Sequence, residues 1–271
     1  MPSPKRVSRT KKHAAKVVSK GTIKTAAKGS LRRASTVTKN GTPTQPAVSI
    51  KKVKAPTSLT QRREQAGRVI ERLKADYPDA ECALENETPF ELLIATILSA
   101  QCTDARVNMV TPELFRRWPN AAAMASAPTP ALEKVIQSTG FFRNKAKNIK
   151  AASQAIVERH GGELPQEMEA LVSLPGVGRK TANVVLGTAF GMATGIVVDT
   201  HVTRLSARLG LTKQTDAVRI EDDLMQIVPE EEWINFSHRL IHHGRQICVA
   251  RKPKCPECSM NSFCPKVGVE L

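Results

Sequence analysis

The densest chemistry in this sequence lies near its end. Cys248, Cys255, Cys258 and Cys264 fall within the last 24 residues with the spacing C-x6-C-x2-C-x5-C. Four thiolates so close together can enclose a metal centre. Zinc sites of four cysteines more often pair two C-x-x-C knuckles. This run has one, and Pro265 follows its last cysteine, as in runs that hold cubane clusters. The spacing favours a [4Fe–4S] cluster and leaves zinc as the alternative. Between the first two cysteines lie Arg251, Lys252 and Lys254, so a metal-pinned loop would present three cations to a phosphate backbone. Cys82 and Cys102 read as buried thiols, and with no secretory signal a disulfide framework is not expected.

The second candidate is Leu174-Pro175-Gly176-Val177-Gly178-Arg179-Lys180-Thr181-Ala182, set between two helical stretches. Pro175 stops the first helix. Gly176 and Gly178 permit a positive φ and a close backbone approach, while Val177 packs inward. Such a turn aims consecutive backbone N–H groups at an anion from the positive end of a helix. The string is a helix–hairpin–helix signature, a clamp for the DNA backbone that ignores sequence. Lys180 sits just inside the second helix. It could contact a phosphate, or act as a nucleophile if neutral, a form favoured by the helix N-terminus, by neighbouring Arg179 and by partial burial. Asp199, in Val197-Val198-Asp199-Thr200-His201, follows an apolar run and opens a helix. N-capping is its ordinary role, and stabilising a sugar cation or taking a proton is compatible with it. His201 reads as structural or DNA-facing.

The elements that must position these groups are helices. Apolar periodicity and Pro, Gly and Asp signals predict helices at 68–73, 89–101, 104–110, 112–118, 130–138, 144–159, 167–172, 180–190, 200–209, 216–227 and 231–246. Pro112 is expected to break one helix and open the next. Hairpin and alternating-strand signals are lacking, so the fold class is all-α with short helices and loops. The uncharged stretch 181–198, with Gly187, Gly191 and Gly195, is too polar for a membrane span, and a buried helix with a Gly-rich turn fits it better. Charge divides the chain sharply. Residues 1–57 carry fifteen Lys or Arg and no acid, so of the net +16 the remaining residues hold about +1. That tail is expected to be disordered and to attract nucleic acid, with a transit peptide as the rival reading.

Taken together, LLIATILSAQCTD, GFFRNKAKNI, LPGVGRKTANVVL, VVDTHV, HHGRQICVARKPKC and the cysteine tail resemble the endonuclease III family of bifunctional DNA glycosylases/AP lyases, over residues 60–271. The resemblance implies two helical domains with the DNA cleft between them. An iron–sulfur cluster domain would comprise 58–81 plus 194–271, and a helical barrel carrying the hairpin would comprise 82–193, after a basic tail at 1–57. It implies Lys180 as Schiff-base nucleophile and Asp199 as catalytic carboxylate. Gln101 and Phe141 would wedge into the duplex, with Phe141 bulkier than the leucine common there. Gly176, Val177, Gly178, Arg251, Lys252 and Lys254 would contact DNA, and the four cysteines would hold the [4Fe–4S] cluster. Asp104 matches an acid near the pocket, of secondary role. Cys102 replaces a small residue. The implied substrate is double-stranded DNA with damaged pyrimidines or abasic sites, cut 3′ to the lesion by β-elimination. A monomer, cytoplasmic and nucleoid-associated, with no membrane partner, is expected. An adenine-mismatch glycosylase is disfavoured by Lys180 and by the chain's end seven residues after Cys264. A non-catalytic iron–sulfur DNA-binding protein is disfavoured by Lys180 with Asp199.

Overall fold

A computed structural model describes residues 53–270. These form eleven α-helices, with no strand among the described residues. The basic tail and its expected disorder or targeting role lie outside the described residues, apart from 53–57. The all-α expectation holds. None of these helices is long and apolar enough to cross a membrane.

Two apolar cores organise the helices. The first gathers α2 (Pro89–Leu98), α3 (Asp104–Arg117), α4 (Ala121–Ser126), α5 (Thr129–Ile136), α6 (Phe142–His160), α7 (Met168–Val172) and α8 (Arg179–Phe190). Its centre is α2, whose residues Leu92 to Leu98 are all buried, as the unbroken run LLIATIL requires. The α4 and α8 helices pack on α6 and α2 respectively. The second core joins α1 (Leu59–Asp76) to α9 (Thr200–Arg208), α10 (Ala217–Met225) and α11 (Trp233–Gln246). Its first helix thus comes from far upstream, and Val69 and Leu73 pack among residues beyond 196.

Three elements depart from the sequence reading. Helix α1 begins at Leu59, nine residues before Arg68. Ser58 and Gln61 form a capping box there, and the first two turns are polar, so apolar periodicity is silent over them. Helix α3 runs unbroken through Pro112. Pro112 is exposed while neighbouring Thr111 and Leu114 are buried, so the helix loses the Pro112 N–H bond to the Asn108 carbonyl and its buried face keeps its packing. Helix α4, absent from the sequence reading, is six residues of mostly alanine. Asn120 caps it and buried Ala121 and Met124 hold it to α6.

Candidate active site and cluster site

A cleft of about 640 Å³ opens where the two cores meet. Lys180 and Thr181 line it from the first core, and Asp199, His201, His242 and Arg245 from the second. Gln101, Cys82, Cys102 and Asp104 complete its rim and wall. An ion pair between Arg245 on α11 and Asp104 at the start of α3 spans the two sides. The two cysteines are therefore half-buried cleft residues rather than core thiols. Burial pushes the Cys82 thiol up, further raised by Asp104 and partly offset by its bond to the Leu84 backbone and by Lys180 and Arg245.

The hairpin is built from its glycines unequally. Gly176 has φ +79°, and a Cβ there would lie 2.8 Å from the Asn148 Cβ, so both conformation and space demand glycine. Gly178 has φ −97° and no atom within 4 Å of a would-be Cβ. It is the N-cap of α8 and offers no side-chain cap bond. The first-turn N–H groups of α8 are thus left uncapped beside open space, which suits an anion. Val177 is buried and anchors the turn, as expected.

Lys180 is exposed on the cleft wall rather than partly buried. Nor does Arg179 act on it as an uncompensated cation. Its guanidinium meets Glu221 through two hydrogen bonds of 2.9 and 3.1 Å, and these bonds hold Arg179 above its ordinary pKa. Of the three features read from sequence, its position at a helix N-terminus is the one retained.

Asp199 caps α9 through a single oxygen. Its Oδ1 accepts the N–H groups of His201 and Val202, each at 2.8 Å. Its Oδ2 takes no backbone bond and lies 3.1 Å from His201 Nδ1. Capping and a second task are therefore divided between the two oxygens. His201 is the carboxylate's neighbour, a role that spacing alone would not distinguish from a surface histidine.

Gln101 and Phe141 share an unusual backbone. Both are non-glycine residues at positive φ, +54° and +47°. Phe141 is 64% exposed, an apolar ring held in water. It immediately precedes α6, and buried Lys145 on that helix donates from Nζ to the Thr139 carbonyl at 2.8 Å, fixing the turn below it. Burial draws the Lys145 amine below its ordinary pKa. Gln101 lines the cleft and Phe141 does not.

The four C-terminal cysteines line one cavity, separate from the cleft of Lys180 and Asp199, with His243, Arg208 and Asn261. Among the described residues, no three Cys, His, Asp or Glu side chains converge as a single-ion site would require. Four thiols set around a shared cavity can supply the one thiolate per iron that a cubane cluster takes. Donors surround them. Arg208 Nη1 lies 3.4 Å from Cys248 Sγ, and His243 Nε2 lies 3.5 Å from Cys258 Sγ with the Tyr77 hydroxyl on its other nitrogen. Burial and the neighbouring thiols raise Cys258 to about 11, so metal binding must displace its proton. Arg208 also donates to the Val249 and Ala250 carbonyls at 2.8 Å each, which pins the loop that leaves Arg251, Lys252 and Lys254 exposed. Lys252 is another non-glycine at positive φ, +51°. Arg208, 40 residues from its nearest partner in this loop, had no signal in the sequence.

The chain was compared with known proteins. A model described as the HhH-GPD superfamily base excision DNA repair protein matches residues 94–230. A second, the iron-sulfur binding domain of endonuclease III, matches residues 248–264. Endonuclease III of Synechocystis sp. is 56% identical over 207 residues, spanning 76% of this chain and 94% of that protein. Endonuclease III of Escherichia coli K12 is 41% identical over 196 residues, spanning 72% and 92%. Among solved structures, a trapped endonuclease III–DNA covalent intermediate superposes with TM-score 0.72 at 44% identity, covering 75% of this chain and 96% of its own. A thermostable thymine-DNA glycosylase, at 22% identity and TM-score 0.68, shares the fold.

Proposed function

Because the chain belongs to the endonuclease III family of base-excision repair enzymes, we propose that Lys180 and Asp199 carry its DNA glycosylase and AP lyase chemistry. The observation that carries this reading is their placement. The amine stands on the uncapped N-terminal turn of α8, and the carboxylate, with one oxygen spared from capping, stands on the other core, both facing one cleft.

The steps follow from that placement. The hairpin N–H groups of Gly176 and Gly178 and the cations Arg251, Lys252 and Lys254 hold phosphates, while Val177, its own N–H bonded to the Leu174 carbonyl, braces the turn and Gln101 and Phe141 fill the stack as the lesion turns out. The duplex seals the cleft and supplies the desolvation that neutral Lys180 needs. Its amine attacks C1′ and the damaged base departs with the C1′–N bond electrons, taking up a proton. Asp199 Oδ2 stabilises positive charge on the sugar and accepts a proton from the attacking nitrogen. The nitrogen lone pair then opens the sugar ring, breaking C1′–O4′ as O4′ takes up a proton, and the Schiff base so formed acidifies the C2′ proton, whose loss expels the 3′ phosphate by β-elimination. A [4Fe–4S] cluster held in the cysteine cavity would fix the position of the basic loop. Cys248, Cys255, Cys258 and Cys264 are its proposed ligands.

We further propose oxidised pyrimidines as the lesions, a monomer as the working unit and the nucleoid as the site of action. The division into a cluster domain, 58–81 plus 194–271, and a hairpin domain, 82–193, is supported by the separation of the two cores. Borohydride trapping on abasic duplex tests the central assignment. Lys180→Ala should leave no covalent adduct, and an adduct at the parent level removes Lys180 as the nucleophile. Nicking of thymine-glycol duplex by the parent, with none on undamaged duplex, tests the lesion class.

A further inference from the structure

Glu221 on α10 is a carboxylate only 4% exposed that none of the steps above employs. Its Oε2 accepts from Arg179 Nε at 2.9 Å, and its Oε1 accepts from Arg179 Nη2 at 3.1 Å and Asn183 Nδ2 at 2.8 Å. Asn183 Oδ1 in turn accepts from the Thr194 hydroxyl at 3.1 Å. At the next residue, a Cβ on Gly195 would lie 2.1 Å from Glu221 Oε1, so the backbone there rests against the carboxylate. Four residues later the segment reaches Asp199.

We propose that Glu221 is a positioning residue that sets Lys180 against Asp199. Arg179 and Asn183 lie one turn apart on α8, so both face Glu221 together while Lys180, next to Arg179, faces the cleft. Helix α8 belongs to the first core, whereas α9 and α10 belong to the second. Glu221 therefore fastens the nucleophile-bearing turn to the core that carries the carboxylate, and through Asn183 and Thr194 to the segment leading into it. A buried ion pair adds little net stability, because desolvation offsets the attraction. Its bidentate geometry instead fixes orientation, and a reacting group displaced by about 1 Å can lose about 10²-fold in rate.

This inference rests on the assignment of Lys180 and Asp199, and the experiment separates the two. Glu221→Gln keeps the side-chain shape and removes the charge, and the Arg179 side chain, 42% exposed, can turn to water. Single-turnover borohydride trapping at saturating abasic duplex is measured beside affinity for an uncleavable tetrahydrofuran duplex and thermal unfolding. The expected result is a trapping rate lowered about 10- to 100-fold with undiminished affinity and cooperative unfolding near the parent temperature. Trapping at the parent rate overturns the positioning role. So does a rate loss that only tracks lost folded protein. Should Glu221→Gln fail to fold, Thr194→Val severs only the outer link. A several-fold slower trapping rate then supports the role, and the parent rate overturns it. A Lys180→Ala control that still traps overturns the nucleophile assignment instead, and the positioning role with it.

Discussion

Asp199 meets a structural demand with one oxygen and keeps the other for the chemistry proposed for it. Oδ1 holds two N–H groups of α9, and Oδ2 lies beside His201 Nδ1, free of the cap. The capping role was legible from an aspartate before a helix, but the division between oxygens was not, since it depends on the rotamer. It yields a separable prediction. Asp199→Asn and Asp199→Ser each keep an oxygen for the cap, so their unfolding free energies should stay within about 0.5 kcal/mol of the parent. Asp199→Ala loses the cap and about 1 kcal/mol. All three should lose about 10²- to 10⁴-fold in single-turnover base excision, the usual range for a positioned proton-transfer group. Chemical denaturation and a single-turnover assay on the same preparations check this. A serine variant that excises at the parent rate would leave Asp199 only a cap. Glu221 is the opposite case at this scale. Nothing near it in sequence marks it, because Arg179 lies 42 residues away.

Among the elements, those with clear apolar periodicity were legible and those held by other means were not. The α2 run LLIATIL announces a buried helix, whereas α4 exists because α6 offers it a surface, and α3 survives Pro112 because its inner face is already packed. The hairpin was legible since its requirement is conformational: φ +79° at Gly176 is a glycine position. Gly176→Ala should therefore cost about 1–3 kcal/mol for the left-handed residue alone, with more from the contact at Asn148. It should weaken binding to an uncleavable abasic duplex, and an electrophoretic titration giving parent affinity would discount the hairpin as a phosphate clamp. Helix α11 makes a different prediction. Burial, reinforced by His242, holds His238 near pKa 4, below its ordinary 6.5. Above pH 6.5 the ring is neutral in both folded and unfolded chains. Below it the unfolded chain binds a proton that the folded state refuses until about pH 4, so stability falls as pH drops through that window. The His238 share of this loss approaches about 1.4 kcal/mol per pH unit, and since burial holds His243 near 4 as well, His238→Gln should reduce the loss between pH 7 and pH 5 without removing it.

At the scale of the whole molecule, the two cores interleave the chain, because α1 packs with the C-terminal half. No local pattern reveals that packing; the motif resemblance over residues 60–271 anticipated it, and Val69 and Leu73 among the α9–α11 side chains display it. Charge is distributed by a different rule. The body is nearly neutral, and its cysteine-pinned loop exposes Arg251, Lys252 and Lys254 close together, while residues 1–57 hold fifteen Lys or Arg without one acid. Each phosphate neutralised releases a counterion, so the salt dependence of duplex binding counts the cations engaged, with a slope of about −0.9 per contact. Removing residues 1–52 deletes fourteen of those cations and keeps Thr57, Ser58 and Gln61, which start α1. If the arm binds phosphates, the truncated protein should show a shallower slope of log affinity against log salt on undamaged duplex. Its trapping rate at saturating abasic DNA should not change, since Lys180 and Asp199 face a cleft assembled from residues 81–245. An unchanged slope would confine DNA contact to the hairpin, the wedge and the cysteine-pinned loop. A shallower slope with an intact trapping rate would make the arm a tether that holds the enzyme on the polymer while the body does the chemistry.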